Sequence, residues 1–526
     1  MDRLDLLVVG AGPAGLAAAI RARRAATTAG RDLAVAVIDK ARAPGAHVLS
    51  GATFEPACLD ELLPGWTEIR HPFTEAMVRV EHDELYFLSA GSAYRLPSRA
   101  VPSRMRHVGD LVISATRLAQ FLAEQAIKAG VEVYHGYAAR SLIVEDGVVH
   151  GVRLAELGLA RDGSPKRNHL AAQEIRAPIT ILADGSRGVL STEFGQRFGG
   201  GVNPQVYSLG LKAIVQFADR SPLGPNRVVH TLGYPNPQSV FGGGFLYSLG
   251  DRTVAVGLIL GLDWKYGDLA PQREFEVFRA HPFVRGLLEG GVTVATGAKT
   301  IPEGGYDSLG ALAAPGAMVV GDGAGFVNME KVKGLHYAIR SGMAAADAAV
   351  EALASEGGQG PLDGYRDRLE ASGLLAELRH ARNYRQVFQP GLFVGAPLSL
   401  VSSRIPRRLG IHRDGEATRR GARLARPDPG RMDGATFVAL TGTTHREDEP
   451  SHVSIADPLA CATCEADYAT ACTSFCPGQV YRWNGSEIVV SASNCLHCMT
   501  CTVKCPASNI RWVPPEGGEG PRYQQL

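Results

Sequence analysis

The chain opens on LDLLVV (residues 4–9), a short run apolar on both faces that predicts a buried strand. PAGLAAAIRARRAATT follows from Pro13 to Thr28. It is alanine-rich and headed by a proline whose missing N–H does no harm in a first helical turn, and it predicts a helix. LAVAVI, Leu33 to Ile38, predicts a second buried strand and completes a βαβ unit. The alternation continues with a helix over Arg117–Ala129 and strands over Val131–Tyr134 and Ile175–Leu182. Between Gln205 and Gly257 the period changes. Short alternating runs (YSLGLKAIVQF, FLYSL, TVAVGLI) broken by Gly, Pro and Asn predict an antiparallel sheet. Glycine-rich motifs return at Met318–Gly325, followed by a helical stretch over about Ala338–Ala354. The chain thus leaves an α/β domain, builds an inserted sheet and comes back. Arg404 to Gly434 is dominated by charge, Gly and Pro, which predicts a linker or solvated surface.

Composition narrows the picture little. The 526 residues accommodate roughly three to four domains of about 150 residues each. With 45% apolar and 20% charged residues, wholesale disorder is excluded. Lys and Arg number 54 against 53 Asp and Glu, and the net charge of +1 removes any broad electrostatic case for nucleic acid. The first strand begins too early to leave room for a secretory presequence, so a reducing compartment is the expectation.

GAGPAG, Gly10 to Gly15, has the form GxGxxG between a strand and a helix. Gly10 permits the tight turn, Gly12 lets backbone approach a pyrophosphate, and Gly15 lets helix and strand pack closely. The helix N-terminus then aims N–H groups and a positive dipole end at the anion. Asp39, at the end of the second strand, is placed to accept from ribose hydroxyls. Two later motifs, ILADGS (Ile181–Ser186) and MVVGDGAGF (Met318–Phe326), each put an acid after a buried strand and ahead of glycine. Asp184 and the Gly321–Asp322 pair taken singly are ordinary turns. Occurring together after GAGPAG they favour FAD, with Asp322 on the ribityl hydroxyls and a helix beginning after Gly325 facing the isoalloxazine. No second GxGxxG with a following strand and acid marks an NAD(P)H domain.

Of nine cysteines, Cys58 stands alone and eight fall between Cys461 and Cys505. They read C-x2-C-x7-C-x3-C-P (Cys461, Cys464, Cys472, Cys476) and C-x2-C-x2-C-x3-C-P (Cys495, Cys498, Cys501, Cys505). In bacterial two-cluster ferredoxins the fourth cysteine of each motif serves the other cluster. Cys476, Cys495, Cys498 and Cys501 then share one [4Fe–4S] cluster, and Cys461, Cys464, Cys472 and Cys505 a second. A four-thiolate zinc site is the rival and explains fewer of the eight. Gln386 to Ser403 carries no charge but holds Pro390 and Pro397, with Arg382 and Arg385 before it and Arg404, Arg407 and Arg408 after. It suits either an element lying on an anionic membrane surface or a buried connection.

Together these motifs, with GAHVLSGA (Gly45–Ala52), FGGGFLYSL (Phe241–Leu249), GFVNMEKVKGLHYAIRSG (Gly325–Gly342), TGTTHREDEPSHV (Thr441–Val453) and NCLHCMTC before WVPPEGGEGP, resemble the electron-transfer flavoprotein–ubiquinone oxidoreductase family. The resemblance runs almost end to end. It implies FAD, a quinone and one [4Fe–4S] cluster in three interlocked parts, with Cys476, Cys495, Cys498 and Cys501 as cluster ligands and Gly242 and Gly243 against the quinone. The plain alternative for those glycines is a bulge or turn. Two features depart from the family. Cys461, Cys464, Cys472 and Cys505 exceed its four ligands, and Arg95, Arg99, Arg104 and Arg106 interrupt its first membrane-dipping segment.

The expected fold is α/β: a Rossmann-like FAD-binding domain (1–75, 106–200, 297–385), an inserted antiparallel-sheet quinone domain (76–105, 201–296), a membrane-surface segment and linker (386–435), and a ferredoxin-like α+β iron–sulfur domain (436–526). The expected activity passes electrons from reduced electron-transfer flavoprotein through FAD and [4Fe–4S] to a membrane quinone, weakly and monotopically attached at the cytoplasmic face of the cell membrane. The rivals are an NADPH- or ferredoxin-dependent flavoprotein reductase or monooxygenase acting on a prenyl lipid or aromatic substrate, and a flavoprotein with a zinc-bound docking module. His47 and His336 lie inside family-like motifs, but a lone histidine is more often structural.

Overall fold

Leu6–Val9 is apolar throughout and lies at the middle of a six-stranded sheet, covered on both faces. Val35–Asp39 and Ile179–Leu182 flank it in parallel. Glu132–His135 adds outside the first and Ala317–Val319 outside the second, with Ala313–Ala314 as an antiparallel edge. This computed structural model describes residues 4–49, 51, 53–355, 362–426 and 432–526; Ser50 and Ala52 of the GAHVLSGA motif and residues 427–431 lie outside it. The helix Pro13–Thr28 packs against Leu335–Ala352 at very close range. Alanines on both faces permit this, as does Gly342, where a Cβ would come within 2.2 Å of the Ala14 carbonyl oxygen.

That second helix does not begin after Gly325 as expected. Gly321–Ala324 is a single turn ended by Gly325, and residues 326–334 double back through a bridge between Asn328 and Lys333. The Asn328 side chain accepts from the Glu330 and Lys331 N–H groups, offering the backbone an alternative to helix, so the helix starts at Leu335.

The inserted sheet has seven strands in the order Val292–Pro302, Tyr207–Gln216, Thr253–Gly261, Gly242–Ser248, Arg227–Gly233, His82–Leu88 and Ala93–Arg95. All neighbours are antiparallel except Arg227–Gly233 with His82–Leu88, which run parallel. Alternation alone did not reveal that pairing, because the partner strand comes from far upstream.

The C-terminal region holds two small antiparallel ribbons, Val453–Ile455 with Ile510–Trp512 and Tyr481–Trp483 with Ile488–Val490, and the short helices Gly434–Ala439, Pro458–Tyr468, Cys472–Phe475 and Thr500–Lys504. Its apolar residues, Phe437, Phe475 and Trp512 among them, join one core with Val215 and Phe275 of the inserted sheet region. The tail then returns to the first domain. Gly518 N–H bonds Lys40, Tyr523 N–H bonds Ala46, and the Leu526 carbonyl accepts from Thr116 N–H at 3.1 Å. The stretch expected as a linker is also folded down in its described part. Asp414 is buried and accepts the Tyr207 N–H at 2.9 Å, and Asp268 accepts from Leu424 N–H at 2.7 Å, so its polar groups find backbone partners instead of water. Among the described residues no helix is long and apolar enough to cross a membrane.

Candidate functional site

The three glycines of GAGPAG do different work. A Cβ on Gly10 would lie 2.2 Å from the Ala183 carbonyl oxygen and one on Gly15 2.0 Å from the Gly10 oxygen, so both are packing positions. Gly12 faces open space, with nothing within 4 Å of an added Cβ. It is also the N-cap of Pro13–Thr28 and no side chain caps it, so first-turn N–H groups without intrahelical partners border that space. The arrangement can take a phosphate anion. Asp39 is fixed at the rim by accepting from Ala11 N–H at 2.7 Å and Ala41 N–H at 2.6 Å.

From Gly12 a cavity of about 780 Å³ extends across the molecule to Gly242–Gly244. Asp322 lines it opposite Lys299. Burial pushes the Asp322 carboxyl up to about 6, with Lys299 opposing. Gly321 donates its N–H to Ser341 Oγ at 3.0 Å and brings this loop against Ala14. Asp184 is turned away. Its carboxylate accepts from Leu190 N–H, Ser191 N–H and Ser191 Oγ at the start of Val189–Phe198, while its neighbours Ala183, Gly185 and Ser186 line the cavity. Asp184 therefore shapes the site from behind.

At the far end the wall is backbone. A Cβ on Gly242 would lie 2.0 Å from the Ile259 oxygen, and one on Gly243 2.2 Å from the Thr231 oxygen. Neighbouring strands thus demand glycine here, and the result is a thin, flat wall. Phe241 and Phe388 meet edge-on at 5.1 Å, and Leu392, Ala396 and Pro397 complete the apolar side. These last belong to the helix Leu392–Ser399, which turns other residues outward: Phe393 is 63% exposed, and Val394 and Leu398 are exposed as well. Arg95, on the same cavity, pairs with Glu84 at 3.0 Å.

Polar groups that sequence reading missed line this end too. Tyr247 OH lies 2.6 Å from His230 Nε2, and His230 Nδ1 3.8 Å from Asp83. Asp83 accepts from His107 N–H at 2.8 Å, and His107 Nδ1 lies 3.2 Å from Asp110. Asp110 pairs with Lys333, and Lys333 with half-buried Glu55 at 2.9 Å. Burial pushes Tyr247 up and His230 down. Burial also works against the Asp83 charge, but the bonds from His230 and His107 outweigh it and hold that carboxyl below its usual range. His336 is buried beside this series, 3.9 Å from Glu55.

All nine cysteines are free thiols. Cys476, Cys495, Cys498 and Cys501 form an inner group, and burial, then the neighbouring sulfurs, pushes the Cys476, Cys495 and Cys501 thiols up, Cys495 to about 12. So many mutually opposing thiols ask for a cationic centre. The group is bonded to the cavity wall: Thr300 N–H donates to the Cys498 carbonyl at 3.2 Å, and Lys299 Nζ to the His497 carbonyl at 3.0 Å. Cys461, Cys464, Cys472 and Cys505 surround a second, small cavity with Ile455, Thr470, Ile488 and Asn509. The Cys472–Phe475 helix carries Cys472 and is followed by Cys476; Thr500–Lys504 carries Cys501 and is followed by Cys505. Each short helix thus gives one thiol to each group, about 6 Å of helix rise apart. Zinc at about 2.3 Å from four sulfurs would hold them about 3.8 Å from one another. Among the described residues the ligand atoms that converge as three within 4.8 Å are those of His445, His452 and His497, and no three thiols do so. That is less convergence than a single tetrahedral ion needs.

Those histidines form another feature invisible in the sequence. His445 Nε2 lies 3.0 Å from His497 Nε2, and His497 packs edge-on against Trp512 and against His47, which lines the cavity. A continuous aromatic contact therefore joins the cavity wall to the loop bearing the inner thiols.

Comparison with known proteins agrees with this layout. Residues 431–524 match the family described as "Electron transfer flavoprotein-ubiquinone oxidoreductase, 4Fe-4S", and residues 207–301 "ETF-QO, ubiquinone-binding". Residues 8–64 match an NAD(P)-binding Rossmann-like domain and 62–205 an FAD binding domain. The electron transfer flavoprotein-ubiquinone oxidoreductase of Pseudomonas aeruginosa is 39% identical over 551 residues, spanning 99% of this chain and 98% of that one. The mitochondrial protein of that name from Homo sapiens is 35% identical, spanning 100% and 89%. A solved geranylgeranyl bacteriochlorophyll reductase-like protein of Thermoplasma acidophilum shares the fold over 77% of this chain, at TM-score 0.57 and 20% identity.

Proposed function

The chain belongs to the electron transfer flavoprotein–ubiquinone oxidoreductase family, and on that premise we propose how its own residues serve the reaction. It passes electrons from reduced electron-transfer flavoprotein to a membrane quinone. The observation that carries this reading is the single cavity that joins the glycine loop at Gly12 to the glycine wall at Gly242–Gly243, with the inner thiols bonded to the strand between. Gly10, Gly12, Gly15, Asp39, Gly321 and Asp322 hold FAD, with Asp184 steadying the loop behind. Cys476, Cys495, Cys498 and Cys501 hold one [4Fe–4S] cluster, and Gly242 and Gly243 lie against the quinone ring. When bound, flavin supplies carriage of one or two electrons and the cluster of one, while the protein positions and tunes them.

Reducing a quinone to a quinol takes two electrons and two protons. The Tyr247 hydroxyl stands at the cavity wall as the donor atom, replenished by His230, with Asp83 on the far side of that imidazole. The 2.6 Å between Tyr247 OH and His230 Nε2 supports that assignment.

The exposed Phe393, Val394 and Leu398, with Arg404, Arg407 and Arg408 just beyond, suit a helix lying on an anionic membrane surface, its inner side open to the cavity. Quinone then enters from the bilayer beside Leu392 and Pro397. An inner-face, cytoplasmic position follows from this reading. The test is an anaerobic assay of purified protein with reduced electron-transfer flavoprotein and a short-chain quinone. Quinol formation is expected. Its absence with flavin and iron intact would overturn the reading, and NADPH-driven flavin reduction would favour a prenyl-lipid reductase or monooxygenase.

A further inference from the structure

Of the eight thiols in the C-terminal region, four remain outside the inner group. Cys461 and Cys464 lie three residues apart on one face of Pro458–Tyr468. Cys472 opens the next short helix, and Cys505 follows the last. None is in a disulfide. They face one another around a small cavity walled by Ile455, Ile488, Pro506 and Ile510, apolar cover of the kind that excludes water from a cluster. Asn509 aims two donors at the sulfurs, its Nδ2 toward Cys461 at 3.5 Å and its N–H toward Cys505 at 3.4 Å. Among the described residues no three of these thiols converge within 4.8 Å, as a single tetrahedral ion would need.

We propose that Cys461, Cys464, Cys472 and Cys505 hold a second [4Fe–4S] cluster that lies on the donor side of the inner one and has the lower potential. The donor-side role rests on the function read above; the site itself does not. Position supports it: Leu459, on the helix that carries Cys461 and Cys464, is 82% exposed, whereas the inner group is bonded to the cavity wall. Charge sets the order of potentials. Lys299 Nζ donates to the carbonyl of His497, which lies between Cys495 and Cys498 in the chain, at 3.0 Å. Asp457 instead caps the helix that carries Cys461 and Cys464. A nearby cation favours an added electron and a nearby anion opposes it. One electron lost by the protein donor reduces the outer cluster by one, and no proton moves with it. Two such passages, with two protons at the quinone, make one quinol.

The test is iron and acid-labile sulfide measured against flavin in the anaerobically purified full chain, with a redox titration followed by electron paramagnetic resonance. About eight irons and eight sulfides per flavin are expected, with two reduction steps and a spectrum broadened by spin coupling at full reduction. Cys464→Ser and Cys472→Ser should each lower iron to about four per flavin and remove the lower-potential signal alone, with flavin content unchanged. About four irons in the unaltered chain, zinc in their place, or outer variants that lose the higher-potential signal would overturn the proposal. A protein with about eight irons that fails to oxidise reduced electron-transfer flavoprotein would instead sink the functional reading and leave the second cluster standing.

Discussion

The two ends of the central cavity are built on opposite plans. The nucleotide end is built of backbone: an open glycine, the unsatisfied N–H groups of a first helical turn, and one acid held by its own hydrogen bonds. The other end is built of glycines that neighbouring strands make obligatory, of apolar side chains, and of a buried tyrosine–histidine–aspartate series. The proposed anion cradle is thus local in sequence, while the buried polar series is gathered across strands.

The sharpest way to separate the ends is Gly12→Val. Its side chain would enter open space, so the flavin-free fold should melt with the flavin-free parent while flavin affinity falls about 1,000-fold, or about 4 kcal/mol. Flavin retained at the parental level in this variant would refute the cradle. Gly10→Ala should do the reverse and weaken the fold itself by about 2 kcal/mol, since that residue has φ +115° and no room for a Cβ. Next in size, Tyr247→Phe should lower kcat for quinone reduction about 100-fold with KM nearly unchanged, and should alter the solvent isotope effect. An unchanged kcat would remove this series from the mechanism. Gly243→Ala should lower the melting temperature as Gly10→Ala does, since its Cβ would meet the Thr231 carbonyl oxygen at 2.2 Å, and a parental melt would contradict the obligatory glycine wall.

The smallest effect concerns the network beneath both ends. Burial opposes the Glu55 charge, but His336, Lys333 and Lys331 hold that carboxyl down to about 2. His336 is itself pushed down to about 4 by burial, so at neutral pH the lysines do this work. A carboxyl depressed by folding contributes stability above its unfolded value of 4.5, and that contribution is lost as pH falls from 4.5 toward 2. Glu55→Gln should therefore cost about 2 kcal/mol at pH 7 and progressively less at lower pH, read by paired thermal melts. A deficit independent of pH would contradict the assignment.

Legibility in the sequence followed the same division. Gly10, Gly12, Gly15 and Asp39 belong to one βαβ unit, and the eight cysteines to two short motifs, so spacing alone was enough to propose their chemistry. Asp184 was misleading because an Asp-Gly turn can face a ligand or cap the next helix, and only tertiary packing decides. Tyr247, His230 and Asp83 come together through register: Asp83 pairs with Val228, Val228 with Tyr247, and His230 lies two residues along the shared strand. That register depends on the parallel partner His82–Leu88, which alternation could not place. The charged stretch 404–434 read as solvated because its composition is polar, yet Asp414 and the Asp268–Leu424 bond show such residues satisfied by backbone within the fold.

The most direct test places the loaded protein on anionic vesicles containing a long-chain quinone, supplies reduced electron-transfer flavoprotein, and compares the parent with Phe393→Asp. The account expects the variant to lose at least 10-fold in rate with the vesicle-borne quinone while matching the parent with a water-soluble analogue. Equal rates on both substrates would contradict a cavity that draws its quinone from the membrane past this helix.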